Sequence, residues 1–164
     1  DGSASLEHID VFDTRQFEGA METFKAKLEQ APDLTPLYDI FKTLQQEVYD
    51  LRLNPGLVQL QSIEDLKRLG EIAGGDAVAS QLVVDTLSDL LGPLRIVRVR
   101  GKVVRTAVGG EAIEEQKEII GVVQDTISLR PGSDIEEPML YIQPQETDAQ
   151  PVYVPLKDIV EFSL

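Results

Sequence analysis

Apolar residues recur along the first half of the chain at the three- and four-residue spacing that lines one face of an α-helix. Phe17, Met21, Phe24, Leu28 and Ala31 form the first stripe. Asp13 stands where an N-cap would, Gln16 three residues on completes a capping box, and Pro32 stops the pattern. Leu37, Ile40, Phe41, Leu44, Val48 and Leu51 form the second stripe. It is entered through Thr35 as N-cap and Pro36 at the first helical position, and closed by Asn54-Pro55-Gly56. Ser62 and Asp65 open a shorter stripe of Ile63, Leu66, Leu69 and Ile72, which Gly74-Gly75 terminates. Asp76 opens a fourth, carrying Ala79, Leu82, Val83, Thr86, Leu87 and Leu90 and ending at Gly92-Pro93.

At Leu94 the period falls to two. Val97, Val99, Gly101 and Val103 alternate with Arg98, Arg100 and Lys102, the pattern of a half-buried strand with a cationic outer face. Gly109-Gly110 turns the chain, and the polar run from Glu111 to Glu118 reads as a long hairpin loop or one helical turn. Ile119 to Leu129 is a second β-type run, with Gly121 marking a bend. Pro131-Gly132 turns again. Met139–Gln143 and Pro151–Pro155 are short strands, Lys157-Asp158 a single helical turn, and Ile159–Leu164 the last strand. That last strand would carry Ile159 and Glu161 on one side and Val160, Phe162 and Leu164 on the other. The expected fold is α+β: an N-terminal helical segment of three or four helices followed by a five-stranded antiparallel small β-barrel. The expected organisation is a disordered or tag-derived tail over residues 1–12, a helical domain over 13–93 and a barrel domain over 94–164.

Two stretches of the β half carry a resemblance. Gly121-Val122-Val123-Gln124-Asp125 has the form of a "G-x-V-x-D" strand, and Pro155-Leu156-Lys157-Asp158-Ile159 that of a closing "pl-x-x-I" strand. Together they resemble small β-barrels of the PRC and Sm-like kind, including the C-terminal barrel of the bacterial ribosome maturation factor. The resemblance implies a binding module, since RNA-processing proteins, ribosome assembly factors and protein adaptors use such barrels. It covers the C-terminal part only and carries over no functional residue.

Composition narrows the chemistry. The chain has no cysteine, which excludes disulfides, thiolate metal sites and cysteine nucleophiles. Its single histidine, His8, sits in the expected tail, and no Ser or Asp is arranged around it. Net charge is −14, and residues 1–93 hold 17 acids against 7 bases. Such a molecule repels nucleic acid and anionic membrane unless a local patch overrides the field. No apolar run reaches the ~20 residues that span a bilayer, so no membrane association and a cytoplasmic location are expected.

Arg95, Arg98, Arg100, Lys102 and Arg105 form the one basic cluster. Arg98, Arg100 and Lys102 should stand roughly 7 Å apart on one strand face, near the spacing of phosphates along a nucleic acid strand. The competing expectation, and the favoured one, is that these cations pair with the protein's own acidic helices or loops. Asp134, Glu136, Glu137, Glu146 and Asp148 populate two proline-bounded loops whose spacing matches no calcium loop, so a solvated acidic rim is expected. Gly74-Gly75-Asp76 and Gly109-Gly110-Glu111 lack the spacing and the Lys-Ser or Lys-Thr of a phosphate loop. Tyr38, Tyr49, Tyr141 and Tyr153 are candidate anchors for a protein partner.

No catalytic constellation, metal site or cofactor motif is visible, and enzymatic work is not expected. The leading expectation is a non-enzymatic protein–protein interaction or adaptor module that binds a protein partner or itself. The alternatives are an RNA- or ribosome-associated factor using the strand 95–105, and a carboxylate-based, metal-dependent enzyme.

Overall fold

Each helical stripe becomes a helix because its apolar side needs a surface to cover it. The computed structural model describes residues 14–53, 56–92, 95–129 and 135–164. The expected tail, Asp13 as a cap and the turn at Pro131-Gly132 lie outside the described residues. Among the described residues, four α-helices lie in the N-terminal half: α1 (Thr14–Leu28), α2 (Thr35–Leu53), α3 (Ile63–Ala73) and α4 (Ala77–Leu91). Phe17 and Phe24 of α1 meet Phe41 of α2 with ring centroids 6.3 and 6.2 Å apart, all three side chains being fully buried.

The helix ends only partly follow the expected capping. Asp76 accepts from the Ala79 N–H at 3.1 Å, a side-chain N-cap. Thr35 does not cap α2: a short 3₁₀ turn, Pro32–Leu34, runs straight into the helix, and the Thr35 hydroxyl donates back to the Pro32 carbonyl at 2.7 Å. Ser62 makes no side-chain cap either. Instead the Glu47 carboxylate of α2 accepts from the Gln61 and Ser62 N–H groups, so a neighbouring helix holds the entry to α3.

Five antiparallel strands follow: β1 (Ile96–Thr106), β2 (Ala112–Leu129), β3 (Glu136–Pro144), β4 (Val152–Pro155) and β5 (Ile159–Ser163). β1 pairs with β2, β2 with β3 and β3 with β4. β4 returns to β1 at Tyr153 and Val104, closing the sheet in a ring, and β5 adds to β1. The free edge of β5 is taken by the α2–α3 connection. Val58 and Leu164 exchange both backbone hydrogen bonds, and the Leu60 N–H donates to Phe162. An unpaired strand edge is thereby covered by the chain itself.

Three expectations are corrected. The polar run 112–118 is neither loop nor helical turn; it is the first half of β2, paired residue for residue with β1. Its charges hide a strand that lies beyond the core. β3 begins at Glu136, not Met139, so Glu136 and Glu137 belong to the sheet. On β5, Ile159 and Phe162 are both buried while Val160 is exposed. The register shift between Arg100 and Gly101 breaks strict alternation there.

Helices and strands share one hydrophobic cluster, from Phe17 and Leu37 through Leu69 and Leu87 to Val97, Val99, Ile119, Val154 and Phe162. The seam runs through a second 3₁₀ turn, Leu156–Asp158, between β4 and β5. This turn is clamped by two glycines. A Cβ on Gly70 of α3 would fall 2.6 Å from the Lys157 nitrogen, and one on Gly101 of β1 would fall 2.4 Å from the Asp158 carbonyl oxygen. Only residues without a side chain allow helix and strand to approach the same turn from both sides.

Candidate functional site

β1 is the centre of the ring, and its alternation decides what each basic residue meets. Val97, Val99 and Val103 point into the shared core. Arg98, Arg100 and Lys102 take the opposite face. Directly opposed residues of an antiparallel pair share a face, so Arg98 lies beside Ile120 and Ser163, Arg100 beside Glu118 and Glu161, and Lys102 beside Gln116.

The structure does not bring the five cations together. Arg100 forms an ion pair with Glu161 of β5. Lys102 lies 3.7 Å from Glu114 and Arg105 lies 2.8 Å from Glu115, both acids on β2. The hydrogen bond from Arg100 holds the Glu161 carboxyl below the usual carboxylate range, with the Arg100 and Arg98 charges adding to the effect. The bond from Arg105 does the same for Glu115. These three cations therefore pair across strands, as a ladder; the acids they meet lie on β2 and β5 and not on the helices or loops expected to supply them.

Arg98 differs. It makes no ion pair or side-chain hydrogen bond with any described residue. Ile96 and Val122 oppose each other one pair further along the same face, and Ile120 opposes Arg98 itself. Ile96 is 43% exposed, Ile120 37%, and Val122 is half-buried. The result is a small apolar patch with one unspent guanidinium in it, rimmed by the neutralised ladder.

Arg95 lies on the other side of the strand. Its carbonyl still accepts from the Val123 N–H at 2.8 Å, so it continues the ladder one residue beyond β1. Two residues before Val97, it shares the side of the core valines. Its Nε is buried without a hydrogen-bond partner, and burial pulls its pKa down.

The acidic residues are also sorted by the fold. Glu146 and Asp148 are exposed, as a solvated rim requires. Glu137 is not on that rim: it is 2% exposed, with Oε2 3.0 Å from Lys157 Nζ on the seam turn. Among the described residues, no group of three or more His, Asp or Glu side chains could hold a metal ion, and no helix is long and apolar enough to cross a membrane. Tyr38 and Tyr49 pack edge-on against Phe24 and Phe17, with centroids 5.6 and 6.1 Å apart, and serve the helical core. Tyr141 and Tyr153 pair across β3 and β4 with centroids 4.9 Å apart. A cleft near the start of α2, lined by Thr35, Asp39, Thr43, Asp65 and Arg68 among others, is open to solvent.

No family model, curated protein or solved structure matches this chain. The site is therefore read from its own geometry.

Proposed function

We propose that this chain is a non-enzymatic protein-interaction module and that its partner docks on the Arg98 face of the β1–β2 ribbon. The observation that carries the reading is the isolation of Arg98. Arg100, Lys102 and Arg105 pair with internal acids, whereas Arg98 stands beside Ile96, Ile120 and Val122, makes no ion pair with any described residue and reaches Glu161 only at longer range. An arginine within an apolar patch, surrounded by a polar rim, is the arrangement that concentrates binding energy at protein interfaces. Its complement is a partner carboxylate flanked by apolar side chains, which suits a protein surface better than a phosphate backbone. The ion-pair ladder favours this reading over RNA binding, because Arg100 and Lys102 would have to abandon Glu161 and Glu114 to reach phosphates. The two motifs behind the PRC and Sm-like resemblance fall on β2 and across the turn between β4 and β5, which supports treating the ring as an adaptor barrel of that kind.

A photo-crosslinking residue in place of Ile120 tests the reading in the native lysate. The expected outcome is one cross-linked protein, unaffected by nuclease and lost when Arg98→Glu is added. A cross-link that survives Arg98→Glu would overturn the assignment of the face. One that disappears with nuclease would return the strand to the RNA-associated alternative.

A further inference from the structure

We propose that residues 112–118 of β2 are an open strand edge that takes up an extended, basic segment of a partner protein by strand addition. This surface is separate from the Arg98 face. In the β1–β2 ribbon the odd-numbered residues of the two strands bond to one another. The Val123 N–H donates to the Arg95 carbonyl at 2.8 Å at one end, and the Ala107 N–H to the Glu111 carbonyl at 2.7 Å at the other. The register between them is unbroken, from Ile96 and Val122 to Thr106 and Ala112. Backbone groups alternate in direction along a strand, so the N–H and C=O of even-numbered β2 residues point away from β1. At Ile120 they meet the end of β3, where the carbonyl accepts from the Gln145 N–H at 2.9 Å. β3 itself pairs with β2 only from Gly121 onward. Ala112, Glu114, Gln116 and Glu118 thus turn their N–H and C=O groups outward with no strand beside them among the described residues, and all four residues are exposed.

The chain treats its strand edges differently. That of β5 is covered by Val58 and Leu60, whereas 112–118 are left open and guarded by charge alone. The placing of those charges says what they guard against. Like charges directly opposed across an antiparallel pair are destabilising. A two-fold axis through Glu114, Glu115, Lys117 or Glu118 would set that residue against its own copy, and an axis through Gln116 would set Glu114 against Glu118. A second copy of this chain therefore meets like charges in each of these registers, and two molecules of net charge −14 also repel at long range. The occupant is a different chain. Glu114, Glu115 and Glu118 outnumber Lys117 beside the edge, and the cations that pair with Glu114 and Glu115 lie on β1, one strand further in. A strand laid along the edge meets Glu114 and Glu118 on one face, so its complement carries Lys or Arg four residues apart. Main-chain bonds would supply its affinity and the two cations its register.

The test uses the unaltered protein and a short synthetic peptide rich in Thr and Val, with two Lys four residues apart. In the free protein, hydrogen exchange followed by NMR should be fast at the amides of Glu114, Gln116 and Glu118 and slow at those of Ile113, Glu115 and Lys117. The peptide should slow the fast set and leave the slow set unchanged. N-methylation of its bonding amides keeps its charge but removes its donors, and should weaken binding about tenfold. Glu in place of the two Lys should weaken it by a similar factor. Gln116→Pro removes an N–H that the β1–β2 ribbon does not use, so it should fold with a thermal midpoint near that of the parent and bind the peptide poorly. Slow exchange at Glu114, Gln116 and Glu118 before any peptide is added would overturn the proposal, and if it appeared only at high protein concentration it would assign the edge to a second copy. Equal binding of the N-methylated peptide, the mark of a purely ionic contact, would also overturn it, as would a peptide that changes none of these amides. Neither probe nor readout involves Arg98, so failure of either reading leaves the other standing.

Discussion

One basic segment meets two environments within a few residues. Arg100 and Lys102 on the solvent side of β1, and Arg105 near its end, each have a carboxylate from β2 or β5 beside them. Where the helices meet the sheet the pairing is uneven: Glu137 and Lys157 form an ion pair, whereas Arg95, at the start of the sheet, and Asp89, in the last turn of α4, make none with any described residue. Water accounts for the difference. Exposed charges lose little hydration when they pair across a strand, and they gain little either. Half-buried charges lose hydration whether or not they pair, so one without a partner opposes the fold. Charge density in the sequence therefore points to the wrong end of the cluster. The cations that crowd together are spent, and those with free capacity are Arg98, in its apolar patch, and Arg95, at the seam.

The seam can be broken most severely through Gly101. A methyl group there meets the Asp158 carbonyl and the Ile159 backbone, and neither is a flexible side-chain end. Gly101→Ala should destabilise the fold by about 3 kcal/mol, measured by urea unfolding. A loss below about 1 kcal/mol would mean that the turn can move away from β1, and that the seam does not impose the contrast.

Asp89→Asn sharpens the comparison from the acidic side. Burial, and then the Asp85 charge, raise the Asp89 pKa above its ordinary 3.8. A carboxyl raised by folding opposes stability once pH exceeds its folded pKa and is neutral well below 3.8. The substitution should therefore raise the melting temperature at pH 7 by about 2 °C and change nothing at low pH. A loss of stability at pH 7 would show that Asp89 has a stabilising partner after all.

The smallest effect belongs to the ladder. Glu115 and Glu161 have carboxyls lowered from 4.5, in each case first by a hydrogen bond from an arginine. Such groups contribute stability that is present above 4.5 and lost as pH falls through their folded values. The double variant Glu115→Gln, Glu161→Gln should show a shallower loss of stability below pH 4.5 than the parent protein. Salt at about 1 M should narrow the gap, because exposed pairs are screened. An unchanged acid limb would mean that the ladder pairs contribute nothing in solution.

Much of the fold was legible because burial imposes a period. The stripe from Leu37 to Leu51 is one face of α2, and Val97, Val99 and Val103 are the inward side of β1. Asp76 and Gly92 mark the ends of α4 as their local chemistry requires. The failures share a cause. Residues 112–118 form a strand whose partner is β1 and whose side chains stay in water, so no apolar period reports it. Thr35 and Ser62 offered capping hydroxyls, but a 3₁₀ turn and the distant Glu47 supplied the bonds instead.

The sequence by itself determined the helical and strand segments, their order, the excess of acid and the lack of thiol chemistry, because each follows from local pattern or residue content. Only the tertiary structure decided which charges pair. The ion pairs on the sheet join residues of three strands, and a hydrogen bond from Arg52 to the Leu90 carbonyl joins the ends of α2 and α4. The energy of a charge depends on the water and the neighbours around it, and folding alone assigns both.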